Sequence, residues 1–243
     1  MWAIVSIQFF LISLFLILGW VIYKKKAYGL VSGFQSRSET EQQEMIDNGY
    51  PQNAAKLLLA TAVGMLTLLP LQLLEFTYAL EIQFGFMLLF LLGGFVYLSK
   101  FEVPKRRKIS YIISSSIFVL VLSFVSILTF LGYQEFKLVL NENSLEVTGI
   151  YGDDWSYEDI EQVDLLEEMP EVTLKQNGFG MASMSKGYFK VENYGSSLLF
   201  LYKDFPPYLY IKMENEHIFL NAKSDVITEK WYIELQKRTS SNN

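Results

Sequence analysis

Residues 2–26 read WAIVSIQFFLISLFLILGWVIYKKK. From Trp2 the run carries no ionisable side chain until Tyr23, and it stops at Lys24, Lys25 and Lys26. A soluble helix shows an apolar stripe, whereas this stretch is apolar on every face. A cleaved signal peptide has its basic residues before the apolar core and a small-residue cleavage site after it. Here the basic residues follow the core, and no Ala-x-Ala pattern comes next. The stretch reads as an uncleaved membrane span, about 2–23.

Three more runs follow. Leu57 to Leu74, between Lys56 and Glu75, would rise about 27 Å as a helix, close to the thickness of the hydrocarbon core; Pro70 should kink or end its last turn. Ile82 to Ser99 contains Gly93-Gly94, and Ile109 to Gly132 carries Ser114, Ser115 and Ser116 near its start. The 243-residue chain is 51% hydrophobic, and these residues concentrate before position 133, which excludes a single soluble domain. Its 16% aromatic content excludes disorder. The expectation is a membrane α-helical bundle of four transmembrane helices over 1–132 (spans 2–23, 57–74, 82–99 and 109–132), with the lipid bilayer as its partner.

Orientation follows from Lys and Arg in the short loops. The loop 24–56 holds Lys24, Lys25, Lys26, Arg37 and Lys56, and the loop 100–108 holds Lys100, Lys105, Arg106, Arg107 and Lys108. The turn 75–81 has only Glu75 and Glu81 as charges. Both basic loops are expected in the cytoplasm, with the N-terminus, the acidic turn and residues 133–243 outside. No run has an ionisable residue at mid-depth, which disfavours an ion-coupled transporter. Gly93-Gly94 and Ser114–Ser116 read as close helix contacts.

Between the first two spans, Ser38 with Glu41 fits a capping box, and Ser36 with Glu39 offers a second register. Asn48-Gly49 and Pro51 supply the stop, so a polar helix is expected over about 38–47. Gly33-Phe34, then Ser38 before Glu39, Glu41 and Glu44, flanked by two spans, resembles a family of uncharacterised bacterial multi-span membrane proteins with an N-terminal domain of unknown function. The resemblance covers roughly residues 4–75. It implies a bacterial inner or cell membrane location.

After residue 132 the pattern becomes short strands and turns. Strands are expected at Phe136–Leu140, Ser144–Tyr151, Trp155–Leu166 with a bend at Tyr157–Asp159, Val172–Lys175, Tyr188–Val191, Leu198–Lys203, Tyr208–Met213 and His217–Asn221. Leu198–Leu201 is apolar on both faces, which suits a barrel. A closing helix over about 225–237, N-capped by Ser224, puts Ile227, Trp231 and Leu235 on one stripe. Leu145–Gly152, Tyr157–Ile160, Asn177–Gly180, Lys186-Gly187 and Tyr208–Lys212, with Trp231 in the last helix, resemble a bacterial pleckstrin-homology (PH-like) domain over about 135–238. The resemblance implies an α+β barrel capped by its C-terminal helix and a non-catalytic binding or assembly role. Phosphoinositide-binding members use basic residues in the first hairpin loop. Asn141-Glu142-Asn143 is acidic here, which argues against that ligand.

Charge divides with the halves. Residues 1–132 have 10 Lys/Arg against 7 Asp/Glu, and residues 133–243 have 10 against 19. The acidic half is a poor partner for nucleic acid. With no cysteine and one histidine, His217, no thiolate site exists and a zinc site lacks donors. The acidic residues from Asp153 to Glu171 do not follow an EF-hand spacing and read as a solvated face. His217 sits at a turn without a nucleophile pattern around it. Asn177–Gly187 lacks the Gly-Lys-Ser/Thr of a phosphate loop. It reads as an exposed loop, with Phe179, Met181, Met184 and Lys186 as the partner-binding residues.

The expected protein is therefore not an enzyme and uses no cofactor or metal. It displays its C-terminal domain to another membrane or envelope protein, or assembles with itself. The alternative is a transport or permeability component with that domain as a regulatory lid.

Overall fold

A computed structural model describes residues 2–240. Met1 and residues 241–243, at the outer ends of the expected domains, lie outside it. The chain divides into two compact units, Met1–Val125 and Ser126–Asn243. The division falls inside the last long helix, a little before the expected boundary.

The first unit holds α1 (Trp2–Lys25), α2 (Glu39–Asp47), α3 (Tyr50–Leu73), α4 (Ala79–Leu98) and most of α5 (Pro104–Tyr133). Among the described residues four segments are long and apolar enough to cross a membrane: Val5–Lys25, Tyr50–Leu73, Ala79–Phe101 and Pro104–Tyr133. Each overlaps one expected run. Three begin earlier than hydropathy alone suggests, and in two of them a proline stands in the first turn, where it suits a helix. Gly49, with φ at +80°, turns the chain after α2, and Tyr50-Pro51 start α3 at once. Pro104 opens α5, so Lys105, Arg106, Arg107 and Lys108 form its first turns rather than a loop. Pro70 stays inside the last turn of α3. Ser38 caps α2 as its sequence pattern requires, its hydroxyl accepting the Glu41 N–H at 3.3 Å.

α3 is the central helix and packs on both α1 and α4. Ile12, Ala62 and Met65 form the buried layer there. A Cβ on Gly94 would stand 2.2 Å from Leu57 Cδ1, so α4 approaches α3 at a distance only glycine permits. Gly93 takes no part in that approach: a Cβ there would stand 3.9 Å from the Phe118 ring, an ordinary contact. The most apolar stretch of α5 has none of its residues buried.

At one end of this unit Ile22 of α1, Val31, Phe34, Met45 of α2, Ala55 of α3 and Val103 form one buried cluster. That cluster gathers the end of α1, the start of α3 and the start of α5. Both basic segments therefore lie at the same end of the helical unit.

The second unit has two sheets. One is three-stranded, in the order β1 (Leu138–Leu140), β2 (Ser144–Val147), β3 (Asp154–Ser156). The 3-10 turn Tyr157–Asp159, at the expected bend, leads to β4 (Ile160–Leu166). There follow β5 (Val172–Gly180), β6 (Met184–Val191), β7 (Gly195–Tyr202), β8 (Tyr208–Met213), β9 (His217–Leu220) and α6 (Asp225–Ser240). The larger sheet runs β4-β8-β9-β7-β6-β5, with β7 and β9 parallel. β9 fills the gap that the β7-to-β8 connection leaves. Asn221, buried, fixes that connection: its amide donates to Tyr202 O at 2.8 Å and Phe205 O at 2.6 Å, and accepts the Tyr202 N–H at 2.7 Å.

The expected closed barrel is not formed. β4 and β5 are the two edges of the sheet and do not pair with each other. The connection from Leu166 to Val172 carries the chain from one edge strand to the other.

Both faces of the sheet are buried, which explains the doubly apolar run in β7. Leu198, Phe200 and Tyr202 join the larger core with Leu145, Val163, Leu209 and Ile218. Leu199 and Leu201 join the second core with Phe189, Tyr210 and Phe219. α6 packs on β4 and β8. Of its expected stripe, Leu235 is fully buried, Trp231 packs against the core and Ile227 is exposed.

Candidate functional site

The four residues expected in an exposed loop lie on a hairpin. β5 and β6 pair from Val172↔Val191 to Gly180↔Ser185, leaving only residues 181–183 as the turn. The glycines there serve close crossing rather than flexibility. A Cβ on Gly178 would meet Lys186 O at 2.5 Å, and Gly187 adopts φ +107°. The four side chains do not form one patch. Met184 is buried in the larger core. Lys186 is 1% exposed and donates its ammonium to Gln134 O. Desolvation holds its pKa below the ordinary lysine value. Phe179 is half-buried, edge-on to the Tyr151 ring at 6.3 Å. Met181 is half-buried, and a Cβ on Gly132 would stand 2.6 Å from its sulfur.

Two features of the second unit remain available for binding. The first is the outer edge of β5, exposed continuously from Val172 to Asn177, with Val172 at 40% and Leu174 at 58% exposure. Two bulges interrupt its register, at Val172/Leu174 and Lys175/Asn177. The second is a cleft of about 480 Å³ beside it. Its floor is Met169, Phe189, Leu201 and Tyr208, and its polar rim includes Lys175 and Asp204. Burial raises the Tyr208 pKa, with the Asp204 carboxylate adding to the effect, so the phenol stays neutral at ordinary pH. The cleft joins an apolar floor to a rim that carries Lys175, Lys203 and Asp204.

His217 stacks on Tyr210 with centroids 5.9 Å apart, and its Nδ1 is 2.8 Å from the Tyr210 hydroxyl. Burial pushes the Tyr210 pKa up to about 12. Tyr194 meets both rings edge-on. Of the acidic face, Glu161 pairs with Lys212 at 2.6 Å. Among the described residues no group of three or more His, Cys, Asp or Glu is placed to hold a metal ion.

The first unit contains an arrangement that sequence reasoning missed. Arg37, just before α2, pairs with Glu102 at 3.1 Å, and both side chains are largely buried. Glu102 also accepts the Val103 N–H at 3.1 Å, while Arg107 donates to its backbone carbonyl. Arg106 pairs with Glu41 of α2 at 3.1 Å, which holds that carboxyl below its usual pKa. The charges expected to set topology thus also clamp α2 to the start of α5. Lys24 and Lys25 instead lie over the rings of Tyr23 and Trp20, at 5.8 and 5.5 Å, and Lys26 bends the chain with φ +54°. Just below the clamp, Ser110 and Ser114 of α5 hydrogen-bond Ser99 at 2.9 and 3.0 Å. Arg37 and Glu102 are 65 residues apart, and no local pattern announces their pairing.

Residues 9–102 match the model of a family described as a domain of unknown function (DUF3784). The match covers less than half of the chain. It takes in α1 to α4, with Arg37 and Glu102, and leaves out α5 and the whole second unit. No curated protein and no solved structure matches the chain.

Proposed function

We propose that this chain is a multi-pass protein of the bacterial cell membrane whose C-terminal unit is a non-catalytic binding domain for another membrane or envelope protein. The observation that carries the reading is the free edge of β5, nine residues long and lying beside an apolar-floored cleft. An open strand edge offers backbone donors and acceptors to an extended segment, and a neighbouring cleft selects its side chains. The two bulges bend this edge away from flat self-stacking. That favours a partner of fitted shape over indiscriminate association. The PH-like likeness supports the same class of task without naming a ligand.

In this proposal both basic segments face the cytoplasm, and the second unit, after an even number of spans, faces the same side as the N-terminus. Their gathering at one end of the helical unit supports that orientation.

The binding role is tested by cross-linking the full chain in intact membranes, comparing the native protein with the double variant Val172→Asp, Leu174→Asp. Both positions are exposed, so folding should be unaffected. Loss of the cross-linked partner at an unchanged melting temperature is expected. Undiminished recovery of that partner would overturn the role of the edge, and a cross-link only to a second copy would turn the reading to self-assembly.

A further inference from the structure

The clamp between α2 and α5 stands at the mouth of a cleft of about 470 Å³ in the helical unit. Arg37, Arg106 and Ser110 line its polar end, together with the Glu102 carboxylate that Arg37 neutralises. Leu92 and Phe95 of α4, with Ile113 and Ile117 of α5, line the rest. From Ile109 to Ile117 the groove follows α5 for eight residues, about 12 Å. Neither guanidinium is used up by its carboxylate. Arg37 meets Glu102 through Nη2, which leaves Nη1 to donate elsewhere. Arg106 meets Glu41 through Nε, leaving its two terminal nitrogens free to donate elsewhere. Both arginines line the same cleft, each held by one carboxylate. Lys105 and Lys108 add positive charge on the same helix turns.

We propose that this cleft seats one anionic phospholipid, its headgroup phosphate on Arg37 and Arg106 and an acyl chain in the groove between α4 and α5. The chemistry at the two ends decides the occupant. A planar guanidinium fork matches phosphate oxygens two at a time. A basic pocket between helices at the membrane surface selects anionic headgroups. A soluble anion would use the forks but leave the apolar groove empty, and a neutral lipid would fill the groove but leave the forks unmet. The site depends on the four-span reading. It depends neither on the orientation of the chain nor on the protein-binding role of the second unit.

The test is native mass spectrometry of the full chain released from detergent, titrated separately with phosphatidylglycerol and phosphatidylcholine. A single phosphatidylglycerol adduct should form, about fivefold or more tighter than the phosphatidylcholine adduct. Arg106 is half-exposed, so Arg106→Gln should fold; it should lose about fivefold in phosphatidylglycerol affinity, at roughly one cation's worth of headgroup attraction. Ile113→Trp, at an exposed position of α5, should block the groove and lower the binding of both lipids while leaving the ion pairs intact. Glycerol phosphate at millimolar concentration should not displace the lipid. Equal binding of the two lipids, indifference to both variants, or displacement by glycerol phosphate would each overturn the proposal.

Discussion

Lys186 carries a charged end that water does not reach, with a single backbone carbonyl as its recorded partner. It shares a sheet face with Met184, two residues earlier, because side chains alternate along a strand. Had the hairpin been legible, that parity would have placed both in the core. Its glycines read instead as a loop. The consequence is measurable. The folded pKa of Lys186 is lowered by desolvation, from 10.5 in the unfolded chain. Between the lowered value and 10.5 the unfolded state binds more protons, so this group adds stability as pH rises and carries its full penalty at lower pH. The buried tyrosines act in the opposite sense at high pH: their raised pKa keeps them protonated in the folded state longer than in the unfolded one. The comparison of two proteins isolates the lysine. In thermal unfolding of the detergent-solubilised chain from pH 7 to 10.5, Lys186→Met should be more stable than the native protein at pH 7. Its advantage should shrink toward pH 10.5. A constant difference across the range would show that the ammonium is not the cause.

The helices and strands divide by how local their instructions are. α2 was legible from Ser38, Glu41 and Asn48-Gly49, since a cap is a contact between near neighbours. The bend at Tyr157–Asp159 was legible for the same reason. β7 was recognised as apolar on both faces, yet that pattern has two solutions, a barrel wall or a strand between two cores. The second is the observed one, and it yields a clear expectation. Phe219, in the second core, is fully buried. Phe219→Ala should cost about 3–5 kcal/mol, while Leu174→Ala on the exposed edge of β5 should change stability by no more than about 0.5 kcal/mol. Chemical denaturation of the second unit's tryptophan fluorescence reads both. A cost for Phe219→Ala below about 1 kcal/mol would mean that the second core is wet.

For the whole molecule, the orientation across the bilayer is the property on which the binding role depends. The chain has no cysteine, so single introduced thiols report without background. A membrane-impermeant maleimide applied to intact cells should label Glu75→Cys and Asn143→Cys and leave Gln43→Cys unlabelled until the membrane is opened. Labelling of Gln43→Cys alone in intact cells would invert the topology and move the second unit to the cytoplasm.

Four helices long and apolar enough to cross a membrane were legible in the amino-acid sequence itself. A bilayer demands long apolar runs whose backbone groups bond within the helix, and that demand is written in consecutive residues, from Trp2 to Tyr23 first of all. The gathering of the basic residues into two segments is equally a matter of order along the chain. Tertiary structure alone decided the pairing of Arg37 with Glu102, the parallel β7–β9 contact and the strand order that leaves β5 as an edge. Each joins segments that are not neighbours in sequence, through packing and desolvation that exist only once the chain has folded, and no local window contains both partners.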